Sequence, residues 1–525
     1  MTSKTSTHSF IAKAVGALLL VLLADWLVYG NIITPAFGIF ALGWAAAIAI
    51  LHKRFLNRWL IGMAAAFALL LIEDPSLLAW LLFGIMLAAG VMLPRMRRFD
   101  DAWSWLLRLL LVGVLALAGP FRDLHLLGRL QRRQPGRQWS DWVALLALPL
   151  GGGALFLWFF SEANPLIGRA LGHLHLSWPN FDTVLRFLFW ALVFTMVWAI
   201  IRPARFHLTM RSADAAIARA LPGISVGSVT LSLLVFNALF ALQNGLDLVF
   251  LWSGAPLPAD VTLADYAHRG AYLLIATALL AGLFVLVALR PGTPMAQNPR
   301  LRALVSLWIA QNILLVASSM LRTIDYVQAY SLTVLRLSAL LWMLLVAIGL
   351  LLICLRLLGS RSTGWLINAN ALAAGLLLCI CSIVDLGEVA ARWNVRHARE
   401  AGGSGPWLDL CYLNRLGPSA LRPLTELALT TRDDAFGNRV RFVRQKVLEQ
   451  TLDNQKQVSW SWRNQRRLAR AGSATIPAAR PVPAGAFRAC DGAIIFPTPR
   501  ETAPPIPTPT RNPPPNLPLT NEPAR

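Results

Sequence analysis

The side chain in this sequence that most needs a chemical partner is Arg336. It closes the stretch DYVQAYSLTVLR at residues 325–336 and opens an apolar run that ends near Leu357. A guanidinium inside a lipid bilayer, or at its border, is costly unless it faces water or an anion. If the whole segment is one helix, one face carries four positions at helical spacing: Tyr326, Tyr330, Thr333 and Leu337. The pattern predicts that the second half of the chain packs around this helix.

Two aspartates could neutralise Arg336. In a continuous helix Asp325 lies about 16 Å from it along the axis, too far for a direct contact. Asp247, in another apolar run, is therefore the predicted partner. The alternative is that Arg336 extends its side chain to the membrane interface without an anionic partner.

A polar stripe runs along the apolar segment Ile224–Trp252. Asn237, Asn244 and Asp247 recur there at helical spacing, and Gln311 is a polar position in the segment Leu304–Leu321. Lipid cannot satisfy such groups, so these faces should turn inward. Two interpretations stay open: hydrogen bonds that hold neighbouring helices together, or a polar cavity for a ligand or ion.

Other signals for chemistry are sparse. No nucleotide-binding loop, nucleophile elbow or zinc-protease motif occurs in the sequence. We therefore expect no catalytic residue, no metal site and no cofactor. Cys411 and Cys490 could form a disulfide if their part of the chain faces an oxidising compartment, or stay free thiols if it does not.

The composition indicates the elements that position these residues. Of the 525 residues, 56% are hydrophobic and only 14% are charged, and the mean hydropathy is +0.56. Continuous apolar runs of this kind predict an all-α polytopic transmembrane helix bundle with 11–12 spans. The candidate spans are Phe10–Tyr29, Ile33–Leu51, Trp59–Ile72, Ser76–Leu93, Trp103–Ala118, Trp142–Phe160, Val184–Ile201, Ile224–Trp252, Ala271–Leu289, Leu304–Leu321, Val334–Leu357 and Trp365–Val384.

The net charge of +22 comes mainly from arginines between apolar runs, which favours membrane topology signals over nucleic-acid binding. In the second half, the connections at 202–222, 290–302 and 356–361 hold nine arginines, and the alternate connections hold three. This predicts a cytoplasmic N-terminus, eleven crossings and a periplasmic tail, with Trp103–Ala118 not crossing. Twelve crossings with the tail inside is the alternative.

Four parts follow from these patterns. Residues 1–140 are predicted to form N-terminal membrane helices, 141–384 a core membrane bundle, and 385–475 a small helical extramembrane tail domain. The tail helices are expected at Pro423–Leu429 and Val440–Leu452. Residues 476–525 are proline-rich and are predicted to be disordered.

Several motifs carry a resemblance. Residues 263–270 read LADYAHRG, and Asp265, Tyr266, Arg269 and Gly270 belong to a predicted interfacial helix. This segment resembles the Y-A-x-Y-A-x-R-G signature of an uncharacterised bacterial membrane family, the domain of unknown function 4173 type and its relatives. Residues 326–336 resemble that family's Y-V-x-x-Y-G-L-T-x-L-R, residues 160–165 its F-A-x-A-N-P, and residues 408–417 its D-x-x-Y-L-x-x-L segment.

Two positions depart from these motifs: Leu263 replaces a tyrosine and Ser331 replaces a glycine, which predicts a looser turn or approach at Ser331. The resemblance implies kinship without an assigned activity. We expect a non-enzymatic bacterial inner-membrane protein, in contact with the lipid bilayer, that senses, scaffolds or supports another membrane or signalling protein. One alternative is a secondary transporter with a site at Asn244, Asp247 and Arg336. The other is a transferase that acts on lipid-linked substrates through Asp74 or Asp25.

Overall fold

The structure is a computed structural model. It describes residues 2–30, 35–52, 56–95, 101–116, 181–203, 226–253, 298–359, 361–457 and 460–496, together with isolated positions between 119 and 153 and at 280. Within these ranges the chain is an all-α polytopic bundle with a helical tail.

The helices of the membrane part are α1 (Thr2–Val28), α2 (Ala36–Leu51), α3 (Arg58–Glu73), α4 (Leu77–Met92), α5 (Ala102–Ala116), α6 (Phe181–Ile201), α7 (Val226–Asp247), α8 (Pro299–Tyr330), α9 (Val334–Leu358) and α10 (Thr363–Ile383). Seven described helices are long and apolar enough to cross a membrane. Three of the helices begin at a capping side chain. Asn57, Ser76 and Ser362 accept hydrogen bonds from backbone N–H groups in the first turns of α3, α4 and α10. The chain is a multi-pass membrane protein.

The membrane helices form two packed groups. In the first, α1–α4 and α6 share an apolar core that includes Phe83, Leu87 and Ile201. Helix α6 runs antiparallel to α1, because the Tyr29 hydroxyl donates to the Asp182 carbonyl (2.9 Å) while the far ends of the two helices meet at Phe10 and Trp198. The second group is α7, α8 and α9.

Two sides of the bundle can be distinguished. The tail side holds the α3–α4 connection and the end of α10, because Arg463 of the tail binds both Asp74 and the Ile383 carbonyl. The opposite side holds the ends of α2, α4 and α6. Helix α5 begins on that opposite side, where the Ala102 N–H donates to Asn368 near the start of α10 (2.7 Å). The chain just beyond α5 is on the same side, because Asp123 accepts a hydrogen bond from Trp198 near the end of α6 (2.9 Å). Both contacts therefore lie on the side opposite the tail.

The tail has a core of its own. Its helices are α11 (Leu386–His397), α12 (Leu410–Leu416), α13 (Leu421–Thr430), α14 (Asp434–Gln457) and α15 (Trp462–Gly472). Fully buried Leu410, Leu413, Leu421 and Val443 pack between them. The helices predicted at Pro423–Leu429 and Val440–Leu452 are the central parts of α13 and α14.

Part of the segment expected to be disordered is ordered. Strands β1 (Phe487–Arg488) and β2 (Ile494–Ile495) pair antiparallel, and a disulfide joins Cys490 in their turn to Cys411 of α12, with the two Cα atoms 5.0 Å apart. The prediction of disorder from residue 476 is therefore wrong for residues 476–496. The disulfide, together with an ion pair between Arg439 and Asp491, holds this segment against the tail despite its high proline content. Residues 497–525 lie outside the described residues.

The predicted continuous helix from Asp325 to Leu357 is also wrong. Helix α8 ends at Tyr330, Ser331 has a positive φ of 69° with ψ 163°, and α9 begins after Thr333. The Thr333 hydroxyl accepts the Arg336 N–H (3.3 Å) and so caps the new helix. A glycine at this position would have indicated a break, because glycine adopts positive φ readily. A serine gives no such indication.

Candidate functional site

The polar residues of α7 and α8 meet along one line, which we call the polar seam. Asn237 donates to the Leu304 carbonyl (3.1 Å) and accepts a hydrogen bond from the Gln311 side chain (3.0 Å). Two turns further along, Asn244 donates to the Gln311 carbonyl (3.1 Å). The contacts advance together along both helices, so α7 and α8 run in the same direction. The structure thus brings together Asn237, Asn244 and Gln311.

A charged pair closes the polar seam. Asp247 forms an ion pair and hydrogen bond with Arg322, and the two side chains are 1% and 4% exposed. Gln243, one turn earlier on α7, donates to the same carboxylate oxygen of Asp247 (3.0 Å). The burial of both charges is tolerated because each is paired. Arg322 lies inside α8 and not in a connection, because α8 runs nine residues beyond the predicted span end at Leu321.

Helix α7 changes its geometry immediately after Asp247. Residues 248–252 form a π-helical turn, and the Ser253 N–H bonds to the Leu248 carbonyl (3.2 Å). The turn directs Trp252 back to α8, where its indole N–H donates to the Ser318 hydroxyl (3.1 Å). Single π-helical turns of this kind are frequent at functional sites.

The seam presents hydrogen-bond acceptors. The amide NH2 groups of Asn244, Gln311 and Asn312 are all used, the last by the Trp308 carbonyl (2.7 Å). Their three amide oxygens have no hydrogen-bond partner among the residues that the structure describes. A buried acceptor left in this way costs about 1–3 kcal/mol. A water or a small donor bound there would relieve that cost.

Arg336 lies elsewhere. Its guanidinium donates to the carbonyl groups of Tyr330 and Ser331, the former at 2.7 Å, and its Cζ lies 4.3 Å from the centroid of the Tyr326 ring. The prediction that Arg336 pairs with Asp247 is therefore wrong, because the break at Ser331 turns the chain so that Arg336 caps the end of α8. The rings of Tyr326 and Tyr330 are in contact at a tilt of 43°, with their centroids 4.8 Å apart. Asp325 is half-buried on α8.

The tail grips the break between α8 and α9. Asn394 of α11 makes two hydrogen bonds to the backbone of Leu332: it accepts from the N–H (2.7 Å) and donates to the carbonyl (2.9 Å). The Tyr412 hydroxyl of α12 accepts the Val334 N–H (2.8 Å). The segment that follows Asp325 is thus a backbone turn between two helices. Thr333 and Arg336 cap the helix ends on either side of it, and the tail side chains Asn394 and Tyr412 hold it by hydrogen bonds.

A second attachment, the arginine clasp, consists of Arg463, Arg466 and Arg467 on α15. Arg463 donates to Asp74 (2.8 Å) and to the Ile383 carbonyl (3.0 Å), and Arg466 pairs with Glu73. Arg467 pairs with Asp385, at the start of α11, and with Glu388 (3.2 Å). Burial raises the pKa of Asp74 despite the nearby Arg463. Burial also acts to raise the pKa of Asp385, but the charge of Arg467 and several hydrogen bonds outweigh it and lower that pKa.

Asp265, Tyr266, Arg269 and Gly270 lie outside the described residues, as do residues 160–165. The acid proposed for a transferase, Asp25, binds Arg186 and the Trp190 indole N–H (2.8 Å). No group of three or more potential metal ligands occurs in the part of the chain that was described.

Sequence reasoning missed Arg322, Asn394 and Arg463. A signal for Arg322 existed, since it follows Gln311 and Ser318 at eleven and four residues, on the same helix face. Asn394 and Arg463 carry no such signal, because their contacts lie 62 residues or more away along the chain.

Comparison with known proteins gives one family match. The model of a family described as a domain of unknown function (DUF4153) matches residues 59–427. No curated protein and no solved structure gives a significant match.

Proposed function

Since the chain belongs to the DUF4153 family, whose description assigns no activity, we propose its function from its own residues. It is a non-enzymatic membrane protein that holds a folded tail domain against the membrane bundle and there senses, scaffolds or supports a membrane or signalling partner. The match covers the segment in which the tail grips the α8–α9 break. Kinship with the domain of unknown function 4173 stays a prediction.

The single observation that carries the proposal is the double hydrogen bond of Asn394 to Leu332. Tail domains on flexible linkers move independently of their membrane anchors. Here the tail binds the backbone between two membrane helices, and the arginine clasp ties it to two further connections. A partner that binds the tail therefore acts directly on α8 and α9.

Two independent criteria support an orientation with the N-terminus in the cytoplasm and the tail in the periplasm of a bacterial inner membrane. The opposite side carries Lys13, Arg95, Arg202 and Arg302, as the positive-inside rule requires of a cytoplasmic face. The tail carries the Cys411–Cys490 disulfide, which persists in oxidising compartments. In this proposal the seven long apolar helices and the shorter α2 and α3 count as nine crossings. The predicted spans Trp142–Phe160 and Ala271–Leu289, which the structure describes at only three isolated positions, would bring the number to eleven.

Photo-crosslinking in cells tests the scaffold function. A benzophenone amino acid replaces Trp407, which is 69% exposed on the tail, or, as a control, Trp59, which is 87% exposed at the start of α3. We expect a discrete protein adduct from position 407, and its loss when Asn394→Ala loosens the tail. If position 407 yields only lipid adducts, and the exposed tail position Phe487 does the same, the scaffold proposal fails.

Thiol labelling tests the orientation. In a background without Cys354, Cys379 and Cys381, a membrane-impermeant reagent should label S404C on the tail before cells are lysed. The matched variant R300C, at the start of α8, should label only afterwards. The reverse order would contradict the orientation and leave the attachment of the tail untouched.

A second candidate function, secondary transport, is favoured by one observation. The buried Asp247–Arg322 pair lies directly before the π-helical turn of α7, and such turns are frequent at functional sites. In this candidate function the site consists of Asn244, Asp247 and Arg322, with Arg322 in place of the predicted Arg336. Solute-driven uptake into proteoliposomes that Asp247→Asn abolishes would favour it over the scaffold. The transferase alternative gains no support, since Asp74 and Asp25 are both held by arginines.

A further inference from the structure

The tail exposes two tryptophans at the start of α15. Trp460 lies two residues before Trp462, the first residue of the helix, and their ring centroids are 6.2 Å apart with the ring planes at 66°. Trp460 is 41% exposed and Trp462 is 53% exposed. Tryptophan is largely buried in most folded proteins, so two exposed indoles in contact form an apolar surface patch. We call these two residues the tryptophan pair.

Hydrogen bonds fix the depth of the tryptophan pair relative to the membrane helices. Arg463, the residue after Trp462, donates to the carbonyl of Ile383 (3.0 Å), which is the last residue of the α10 span. Arg463 also donates to Asp74 (2.8 Å), three residues before the span that begins at Leu77. Consecutive Cα atoms are about 3.8 Å apart. The backbone of Trp462 therefore lies close to the level at which two spans reach the membrane surface.

The side chain of Trp462 lies on the exposed face of α15. Trp462 and Arg466 are one turn apart and both are exposed, whereas Ala471 on the other side of the helix is buried in the tail core. Arg466 pairs with Glu73 at the end of α3, so the exposed face is directed to the bundle. Trp462 therefore extends from the tail beside the ends of the membrane helices.

The bundle surface at the same level is apolar. Leu77 at the start of α4 is 75% exposed, and Leu69, one turn before Glu73, is 57% exposed. Exposed leucines on the helices of a multi-pass membrane protein contact acyl chains. Two further tryptophans lie at helix ends on the tail side, namely Trp26 in α1, which is 78% exposed, and Trp252 after α7, which is 49% exposed. Tryptophans at the ends of spans are typical of the headgroup level of a bilayer.

We propose that the tryptophan pair anchors the tail in the interfacial layer of the lipid bilayer, between the acyl chains and the headgroups. An indole suits this layer because its apolar body contacts acyl chains while its N–H donates to lipid oxygens. The tail is then attached to the bilayer as well as to the bundle, on whichever side of the membrane it lies. The competing occupant of this surface is another protein, either a second copy of the chain or a partner.

Spin labels on the full-length protein in phosphatidylcholine nanodiscs distinguish lipid from water and from protein. In a background without Cys354, Cys379 and Cys381, a nitroxide is attached to Trp462→Cys or, as the matched control, to Gln465→Cys. Gln465 is exposed on the same helix and bonds to Gln455 of α14 (3.3 Å). Power saturation compares collisions with oxygen, which concentrates in lipid, and collisions with a water-soluble nickel chelate. We expect the ratio of oxygen to nickel collisions to be several-fold higher at 462 than at 465.

A second measurement tests the native side chains. Hydrogen exchange of α15 peptides in the same nanodiscs should become about tenfold faster in Trp460→Ser/Trp462→Ser, the effect of losing part of the apolar contact of one indole. The double variant Trp460→Phe/Trp462→Phe keeps an apolar ring at both positions and should change the exchange little.

Each alternative has its own outcome. If the label at 462 collides with the nickel chelate as often as the label at 465, the tryptophan pair lies in water and the proposal is overturned. Low collision rates with both reagents would overturn it in favour of a protein contact. Unchanged hydrogen exchange in the serine variant would show that the tryptophan pair does not anchor the tail.

Discussion

Asn394 holds the backbone of Leu332 by both of its polar groups. The Leu332 N–H donates to the Asn394 amide oxygen at 2.7 Å, and the Asn394 NH2 donates to the Leu332 carbonyl at 2.9 Å. Asn394 is 5% exposed and Leu332 is 6% exposed. A side chain thus supplies the two hydrogen bonds that a neighbouring strand would supply in a sheet. It does so at the one point where the chain between α8 and α9 has left helical geometry and needs partners for its backbone groups.

Replacing Asn394 by alanine should loosen the tail from the bundle. Two buried backbone groups lose their partners, each at a cost of about 1–3 kcal/mol, so we expect a loss of about 2–4 kcal/mol in the free energy of unfolding. Chemical unfolding in detergent measures the change. Arg396→Ala, at an exposed position on the same helix, should change the stability little. Similar effects of the two substitutions would contradict the structural role of Asn394.

Ser331→Gly should stabilise the protein. With φ 69° and ψ 163°, Ser331 occupies a region that is populated almost only by glycine, and relief of this strain is worth about 1–3 kcal/mol. The greater freedom of glycine in the unfolded chain offsets part of that, which leaves a gain of about 1 kcal/mol. Ser331→Val, with a β-branched side chain, should destabilise. A melting temperature that falls in the glycine variant would show that the turn does not carry the strain.

Loss of either partner of the Asp247–Arg322 pair should be severe. Each single substitution, Asp247→Asn or Arg322→Met, leaves an uncompensated polar or charged group in an apolar helix pair and should cost about 3–5 kcal/mol. The double variant Asp247→Leu/Arg322→Met should recover most of the loss. A double-mutant cycle between Asp247 and Arg336, by contrast, should be additive. Coupling between Asp247 and Arg336 would contradict the observed pairing.

Local patterns predicted those parts of the site that depend on one helix and its neighbour. The spacing of Asn237, Asn244 and Asp247 placed them on one face, because helical periodicity is a local property and lipid forces polar faces inward. The all-α bundle followed from apolar runs in the same way. The pairing of Arg336 with Asp247 failed because it assumed an unbroken helix, and the serine at the break carries no local signal for a positive φ.

Contacts between distant segments could not be read from the sequence. The clamp of Asn394 on Leu332 and the arginine clasp of Arg463 on Asp74 depend on where the tail folds back, which no periodicity encodes. The order of residues 476–496 depends in the same way on the Cys411–Cys490 link across 79 residues. A high proline content predicts that an isolated segment is disordered, and a covalent link to a folded domain can order it.

The arginine clasp should weaken in one step as the pH falls, and that step belongs to Asp385. The pKa of Asp74 is raised, chiefly by burial, so the folded protein binds this proton more tightly than the unfolded chain and protonation of Asp74 costs no stability. The pKa of Asp385 is lowered because Arg467 and hydrogen bonds outweigh burial. Its contribution to stability is complete above the unfolded-state pKa of about 4 and is lost only as the pH falls through the lower folded-state value.

Hydrogen exchange of α15 peptides, corrected for the intrinsic pH dependence, can follow this step. In the unmodified protein we expect protection to fall below about pH 4, as Asp385 takes up its proton. Asp74→Asn should leave this step in place with little loss of protection at neutral pH, since burial already disfavours its charge. Asp385→Asn should lower protection at neutral pH and remove the step, because Arg467 then keeps only Glu388. A single transition that neither substitution moves would mean that the helix is held by its apolar contacts and that the arginines contribute little.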